Sequence, residues 1–228
     1  MGPAVRLAPA LVERVPGLAL GVALMEGLVI AREASDLTSA LEVCAERVKV
    51  DTDLNGLARL PEVAAMRAAF RAAGTDPGRY RPSSEALLRR VLQGKGVPRI
   101  NAAVDANTLG SLTFRLPMGA YDADRVRGEI TCRIGGAGEA WTAIGGKEVD
   151  GEGKILLADA AGPFGSPYAD AARTAVTEDT RRFLLVIFAP PDLPGGRHGR
   201  LEEALAFTAA TMVSHCGGAV TAHRIVTG

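Results

Sequence analysis

Two aspartates, Asp122 and Asp124, lie in the stretch "LPMGAYDADRVRGEI", where a pair of carboxylates could act as a general acid and a general base. A spacing of two residues would place them on different sides of a helical turn, which separates the two groups. Asp122 is also well placed to cap a short helical segment that Gly128 ends, with Asp124 in its first turn. The spacing therefore favours capping over acid–base chemistry.

The histidines and cysteines form no recognised metal motif. His215, Cys216 and His223 could bind a metal in principle, but their spacing fits no zinc pattern and a fourth ligand is not evident. The glycine runs "IGGAGE" and "IGGKEV" do not match the phosphate-binding loop pattern, and we interpret them as β-turns. We therefore expect neither a metal nor a cofactor.

Charge is distributed unevenly along the 228 residues, although the formal net charge is zero. Residues 79–127 contain nine basic and four acidic side chains, a net charge of +5, and both flanking segments are net negative. The zero total excludes a globally basic nucleic-acid binder but permits a local basic face. That face is either a solvated helical surface or a surface that contacts phosphate groups, and the charge pattern leaves both open.

Composition and cysteine usage limit the class of protein. Hydrophobic residues make up 47% and charged residues 23%, as in a globular domain. The three cysteines are far apart and form no CxxC pair, which indicates reduced thiols and a cytoplasmic location. No apolar run reaches the ~18 residues of a membrane helix, and the start of the chain lacks the apolar core of a signal peptide. We expect no contact with a membrane.

Local patterns predict helices first and strands afterwards. Alternating large and small residues over 18–24 predict a buried strand, and short β-rich runs follow Gly128. A helix-like spacing after Arg99 is weakened by Gly110 and Thr113. The remaining periodic segments predict helices over residues 35–48, 61–74, 83–94 and 200–216. This order predicts an α+β fold in which helices flank a mixed β-sheet.

The chain from Arg81 to about Pro190 carries a series of short motifs in one order. "RIN" and "VD" come first, then "PMGAYD" with "DRVRG", then "IGGKE" and "KILLAD", and finally "VTEDT" before "RRFLLVI". Together they resemble the B3/B4 domain of the bacterial phenylalanyl-tRNA synthetase beta subunit, and still more the free-standing proteins built on that domain. The resemblance implies a B3/B4-like α+β domain over residues 76–228, with residues 1–75 as an N-terminal strand and helices integrated with it.

The resemblance also implies a function. In the synthetase this domain binds the 3′ end of tRNA and hydrolyses the ester of a mischarged tyrosine. We therefore expect an editing-like protein whose partner is tRNA or aminoacyl-tRNA. The expected RNA-binding residues are Arg81, Arg89, Arg90 and Arg99, and the expected substrate-binding residues include Asn101 and Asp105.

Two positions depart from the editing pattern. The family's histidine in the Pro-x-His-Ala-aromatic-Asp run is Gly119 here, and the glutamate that recognises the tyrosine hydroxyl is Ala175. Glycine cannot move a proton, and alanine cannot accept a hydrogen bond from a phenol, so tyrosine-specific editing by this constellation is not expected. We place Gly119 and Ala175 in a remodelled substrate site.

Two neighbouring residues, Arg173 and Thr174, occupy the rim where the resemblance places the pocket loop. We interpret them as the catalytic candidates. Arg173 would contact the terminal ribose-phosphate, and Thr174 would orient a water molecule or the amino acid. The alternative is that Arg173 is a surface charge.

Three functions stay open at this point. The first is a deacylase that acts in trans on mischarged aminoacyl-tRNA, which the collinear motifs and the +5 segment favour. The second is a non-catalytic module that binds tRNA or another RNA, which the missing histidine and glutamate favour. The third is an amino-acid or small-metabolite binder that reuses the editing pocket.

Overall fold

A computed structural model describes residues 2–193 and 196–228, which contain six α-helices and ten β-strands. The helices are α1 (Pro9–Arg14), α2 (Ser35–Asp51), α3 (Pro61–Ala73), α4 (Ser83–Leu92), α5 (Ala102–Phe114) and α6 (Arg197–Cys216). The strands are β1 (Val5–Leu7), β2 (Ala19–Glu26), β3 (Met118–Asp122), β4 (Ile130–Ile134), β5 (Ala140–Thr142), β6 (Glu148–Asp150), β7 (Ile155–Asp159), β8 (Gly162–Gly165), β9 (Arg182–Ala189) and β10 (Ala219–Val226).

The strands form two four-stranded sheets and a small hairpin. The first sheet has the order β10-β2-β9-β3, and all its neighbours are antiparallel. The second has the order β1-β4-β7-β8, with β1 parallel to β4 and the other neighbours antiparallel. β5 and β6 pair separately. The predicted α+β class with a mixed sheet is therefore confirmed.

The first sheet separates two hydrophobic cores. One core lies between this sheet and helices α2, α4, α5 and α6. The other lies between the two sheets and includes side chains of α1 and α3. Because β2 and β9 are covered on both faces, their residues are buried almost without exception. The N-terminal segment supplies β2, so it shares one sheet with the strands from the rest of the chain.

Glycines allow α6 to lie close to its neighbours. At Gly21 on β2, an added Cβ would lie 2.8 Å from Leu201 Cδ1 of α6. At Gly110 on α5, a Cβ would overlap the hydroxyl of Thr208 on α6. Gly110 was expected to weaken the helix, yet α5 is continuous through it. The missing side chain at this position lets α6 pack closely against α5.

Most predicted elements are present, but helix α1 and the strands β1, β3, β6, β8 and β10 were not predicted. The predicted buried strand corresponds to β2, and the predicted helices correspond to α2, α3, α4 and α6. β10 was not predicted, because its residues are largely exposed and lack the alternation of a half-buried strand. In the part of the chain that the structure describes, no helix is long and apolar enough to cross a membrane.

Candidate functional site

The "RIN" and "VD" motifs together build the N-terminus of α5. The Oδ1 atom of Asn101 accepts a hydrogen bond from the Val104 N–H at 3.0 Å, which caps the helix. The Asp105 carboxylate accepts hydrogen bonds from the Ile100 N–H at 3.0 Å and from Arg99 Nε at 2.7 Å. Both motif side chains are buried. They position α5, and direct contact with a substrate stays a prediction for Asn101 and Asp105.

Buried carboxylates engage two of the four predicted RNA-binding arginines. Glu85 on α4 is fully buried and pairs with Arg67 at 3.0 Å and with Arg81 at 3.3 Å. Arg99 pairs with the buried Asp105. A buried carboxylate without a nearby cation is strongly destabilising, so these ion pairs stabilise the α4–α5 region. A role of Arg81 and Arg99 in RNA binding stays a prediction.

The other two predicted arginines have no ion-pair partner among residues 2–193 and 196–228. Arg90 is exposed, and its Nε donates a hydrogen bond to the carbonyl oxygen of Gly96 at 3.1 Å. Arg89 is half-buried, and its Nε has no hydrogen-bond partner in the described chain. A role of Arg89 and Arg90 in RNA binding stays a prediction.

A cleft of about 330 Å³ lies between α4 and α5 and ends at the first residue of β3. One stripe of α4 and one stripe of α5 form its walls, each with residues three or four apart on the same helix face. We call it the α4–α5 cleft, and its lining consists of Ser83, Ala86, Leu87, Arg90, Asn107, Thr108, Ser111, Met118 and Tyr168. Its lining therefore combines polar side chains, among them Arg90, with apolar ones.

Aromatic and basic side chains lie next to one end of this cleft. Tyr168, which lines the cleft, contacts the edge of Tyr80 with a ring-centroid distance of 5.4 Å. The Arg79 guanidinium lies 5.2 Å from the Tyr80 ring centroid, and Lys154 Nζ lies 4.0 Å from the same centroid. Arg79 is exposed and Lys154 is buried, so Arg79 is the cation of this pair that lies at the surface.

The ring of Tyr121 fills the space into which a side chain at position 119 would project. A Cβ at Gly119 would lie 2.6 Å from Tyr121 Cε2 and would overlap the phenol oxygen. A Cβ at Gly165 on β8 would meet the same ring, with 2.6 Å to Tyr121 Cε1. The two glycines therefore hold the ring between β3 and β8, and position 119 has no room for a histidine while Tyr121 keeps this position.

Tyr121, which is fully buried, forms a hydrogen-bonded pair with the partly exposed Asp170. The Tyr121 phenol donates to the Asp170 carboxylate at 2.6 Å, and the ring meets Phe164 edge-on at a centroid distance of 4.9 Å. Burial raises the pKa of Asp170 to about 7, although the phenol and nearby backbone N–H groups favour its charged form. Burial, together with the negative charge of Asp170, raises the pKa of Tyr121 well above its usual value.

The two predicted catalytic residues lie on a 3₁₀ turn beside β8, outside the α4–α5 cleft. The Arg173 guanidinium binds both carboxylate oxygens of the buried Asp159, at 2.7 and 3.1 Å. Thr174 is fully buried, and its hydroxyl donates to the carbonyl oxygen of Phe164 at 3.3 Å. Ala175 follows at the end of the turn and is half-buried. Catalysis by Arg173 and Thr174 stays a prediction.

A larger groove of about 820 Å³ lies between α6 and β10. Alanine, valine and leucine side chains make up much of its lining, and the polar residues in it include His198, Glu202 and His223. None of the predicted site residues lines it. Within the described ranges, no group of three or more His, Cys, Asp and Glu side chains could hold a metal ion.

Sequence reasoning missed the most informative residue of the cleft, Asn107. Its Nδ2 donates to the carbonyl oxygen of Met118 at 3.1 Å and so covers part of the outer edge of β3. The "VDANT" segment carries it two residues after Asp105, but nothing in that spacing marks it as a cleft residue. Its position depends on α5 packing across the end of β3, which no local pattern reveals.

Comparison with known proteins gives one family. The model of the B3/4 domain matches residues 65–192, which is more than half of the chain. The phenylalanine–tRNA ligase beta subunit of Bifidobacterium longum is 33% identical over 111 residues, covering 43% of this chain. The corresponding subunit of Pectobacterium atrosepticum is 31% identical over 128 residues, covering 51% of this chain.

The match covers only a small part of each relative. The chain spans 12% of the length of the Bifidobacterium longum subunit and 16% of that from Pectobacterium atrosepticum. Among solved structures, an N-terminal fragment of the phenylalanyl-tRNA synthetase beta subunit from Pyrococcus horikoshii superimposes with a TM-score of 0.47 and 16% identity. That superposition covers 98% of this chain and 50% of the fragment.

Replacing Gly119 by Ala should destabilise the protein by about 1–3 kcal/mol, because the new methyl group overlaps Tyr121. The cost should vanish in a Tyr121→Ala background, where the space is vacant. Urea denaturation of the wild type, both single variants and the double variant measures this coupling. Gly199→Ala, at a helical position where a Cβ meets nothing within 4 Å, is the control and should not destabilise. An equal cost of Gly119→Ala in both backgrounds contradicts the packing described.

Replacing Asp170 by Asn should flatten the dependence of stability on pH. The native pKa of Asp170, about 7, lies above its ordinary value of 3.8, so the folded protein retains a proton that the unfolded chain releases between these values. The contribution of Asp170 to the free energy of unfolding therefore decreases as pH rises from about 4 to about 7. Across this range, the urea midpoint of the Asp170→Asn variant should rise relative to that of the wild type as pH increases. A constant difference between variant and wild type would rule out this titration.

Proposed function

Because the chain belongs to the B3/4 domain family, we propose that it binds the aminoacylated 3′ end of tRNA in the α4–α5 cleft. The curated relatives act on phenylalanine and tRNA by their names, and the matched region is the part that they share with this chain. The proposal places the protein in the cytoplasm, with tRNA as its partner. It concerns binding by this domain and not the ligase reaction of those larger proteins.

The charge of Arg90, which lines a ligand-sized cleft and has no carboxylate partner in the described chain, carries this proposal, and Arg89 next to it on α4 is a second unpaired cation. Arg90 lines the cleft, and both arginines lack an ion-pair partner in the described chain. A phosphate group at this rim would meet a cation that is not already neutralised, in contrast to Arg81 and Arg99. A terminal nucleotide could then contact the half-buried ring of Tyr168 while its acyl group enters the cleft.

The contacts of the candidate residues favour binding over side-chain catalysis. The lining of the cleft contains hydroxyl groups of Ser83, Thr108 and Ser111 but no histidine, carboxylate or cysteine, so no side-chain base is present to activate one of them as a nucleophile. Arg173 is held by Asp159, and the Thr174 hydroxyl is buried against a carbonyl group. Hydrolysis of a mischarged ester would therefore depend on a water molecule oriented by backbone groups, as in the deacylase alternative.

A panel of charged tRNA species separates these two functions. Labelled aminoacyl-tRNAs are incubated with excess protein, and both complex formation and release of the amino acid are followed. The proposal expects binding that protects the ester or leaves its spontaneous hydrolysis unchanged. Release faster than the spontaneous rate for any one amino acid would instead support the deacylase. The absence of binding to every species would contradict both functions.

Replacing Arg89 and Arg90 together by Ala should weaken tRNA binding and reduce the slope of log affinity against log salt. Each lost phosphate contact should lower this slope by about 0.7. Filter binding or fluorescence anisotropy between low and physiological salt measures it. The Lys double variant should retain most of the slope, because it keeps both charges, and Arg6→Ala on the exposed surface of β1 is the matched control. An unchanged slope in the Ala double variant would exclude these arginines as phosphate contacts.

A further inference from the structure

Strand β10 forms an open edge of the first sheet. It pairs with β2 on one side, and within residues 2–193 and 196–228 no strand or other backbone group pairs with its outer side. Its eight residues include neither proline nor lysine, which often block such an edge. A bulge between Val220 and Ala222 leaves a regular stretch over Ala222–Val226. The outer backbone N–H and C=O groups of this stretch can therefore pair with another strand.

The apolar groove of about 820 Å³ between α6 and β10 runs beside this edge. It exists because α6 lies over β2, where Gly21 meets Leu205, and leaves the largely exposed β10 uncovered. Leu205 and Ala209 form its buried wall, and Val220 and Ile225 line it from the strand. Val220 is 39% exposed, so part of this apolar lining is in contact with water.

The side chains of α6 that face the groove leave room for a second helix. Ala206 and Ala210 are exposed, line the groove and lie one helical turn apart. The face therefore offers a strand edge and, directly beside it, space for a helix. An occupant that uses both features must carry a strand and a helix side by side, and the α6–β10 unit of a second copy is such a pair.

The spacing of strands in a sheet supports this fit. If β10 pairs with β10 of a second copy, the two β2 strands are three strand spacings apart, or about 14 Å. Each α6 lies over its own β2, and a helix with its side chains is about 10–12 Å wide. The two α6 helices would therefore meet above the paired β10 strands and fill both grooves.

The charges of this face suit a neutral partner. Glu202 and Arg224, which line the groove, carry opposite formal charges. Glu202 lies 3.2 Å from His198, and Arg224 donates a hydrogen bond to the Pro3 carbonyl oxygen. The whole chain has a formal net charge of zero, so two copies meet no net repulsion. An anionic surface such as nucleic acid or an acidic membrane would gain no net attraction here.

We propose that the protein forms a two-fold symmetric dimer through this face, with the β10 strands paired antiparallel and the α6 helices side by side above them. The two copies then share one continuous sheet of eight strands. An antiparallel edge that pairs about a two-fold axis is complementary to itself. None of the residues that line the groove lines the α4–α5 cleft, so both clefts stay open and this proposal is independent of the proposed function.

Analytical ultracentrifugation over a range of concentrations measures this association. The wild type should sediment as two chains of 23.7 kDa each at high concentration. Ala210→Glu places like charges in the contact and should raise the dimer dissociation constant by about 10-fold or more. Val50→Glu, at a position on α2 that is 86% exposed, is the matched control and should leave the constant unchanged.

Two sedimentation results would overturn the proposal. One is a wild type that remains a single chain at every concentration up to its solubility limit. The other is a dimer that Ala210→Glu and Val50→Glu affect equally. Circular dichroism of both variants confirms that they are folded, so a loss of association in Ala210→Glu reports on the contact.

Thiol cross-linking locates the contact on β10. His223 lies near the middle of the strand, so antiparallel pairing about a two-fold axis brings it close to the same residue of the second copy. A short bismaleimide should link His223→Cys into a covalent dimer. The wild type, whose cysteines all lie outside β10, should not be linked. A dimer in which His223→Cys is not linked would place the interface elsewhere and overturn the proposal.

Other occupants of the groove give different results. A single chain that carries a small apolar molecule in native mass spectrometry would assign the groove to that molecule and overturn the proposal. Flotation of single chains with phosphatidylcholine vesicles, abolished by Ala210→Glu, would do the same for a membrane. Binding of tRNA bears on the proposed function alone, because the α4–α5 cleft shares no lining residue with the groove.

Discussion

The burial of Tyr121 between two glycines is the constraint on which the arrangement of the site depends. Its ring joins the two sheets by filling the space between Gly119 and Gly165, and its phenol binds Asp170. That bond holds the loop before the 3₁₀ turn, which also carries Tyr168 to the end of the α4–α5 cleft. The space between β3 and β8 is therefore solid core, and the accessible cavity lies on the helical side of β3.

The basic residues of the +5 segment, residues 79–127, fall into two groups: some pair with buried carboxylates, and others have no such partner. Glu85 and Asp105 are buried at α4 and α5, and each requires a cation nearby. Arg99 meets that requirement for Asp105, and Arg67 together with Arg81 meets it for Glu85. Arg89 and Arg90 have no carboxylate partner among the described residues, and the proposed function assigns them to phosphate contacts. A net charge alone could not distinguish these two uses, because the distinction depends on which carboxylates become buried.

The sequence predicted the elements better than it predicted the site. Periodicity located β2 and most helices, because burial on a fixed face leaves a repeating pattern. The capping role of Asp122 was also predicted and is confirmed, since its side chain accepts a hydrogen bond from the Asp124 N–H at 3.1 Å. Asn107 was missed, because an unpaired acceptor becomes visible only after long-range packing is known. Gly119 was noticed through the family resemblance, but its overlap with Tyr121 was not predictable.

A crystal structure with a bound amide analogue of 3′-seryl-adenosine or 3′-tyrosyl-adenosine tests the central claim most directly. The account predicts that the acyl group lies between α4 and α5, with the nucleotide towards Arg90 and Tyr168. Density for the ligand in the groove between α6 and β10, or an empty α4–α5 cleft at saturating ligand, would contradict it.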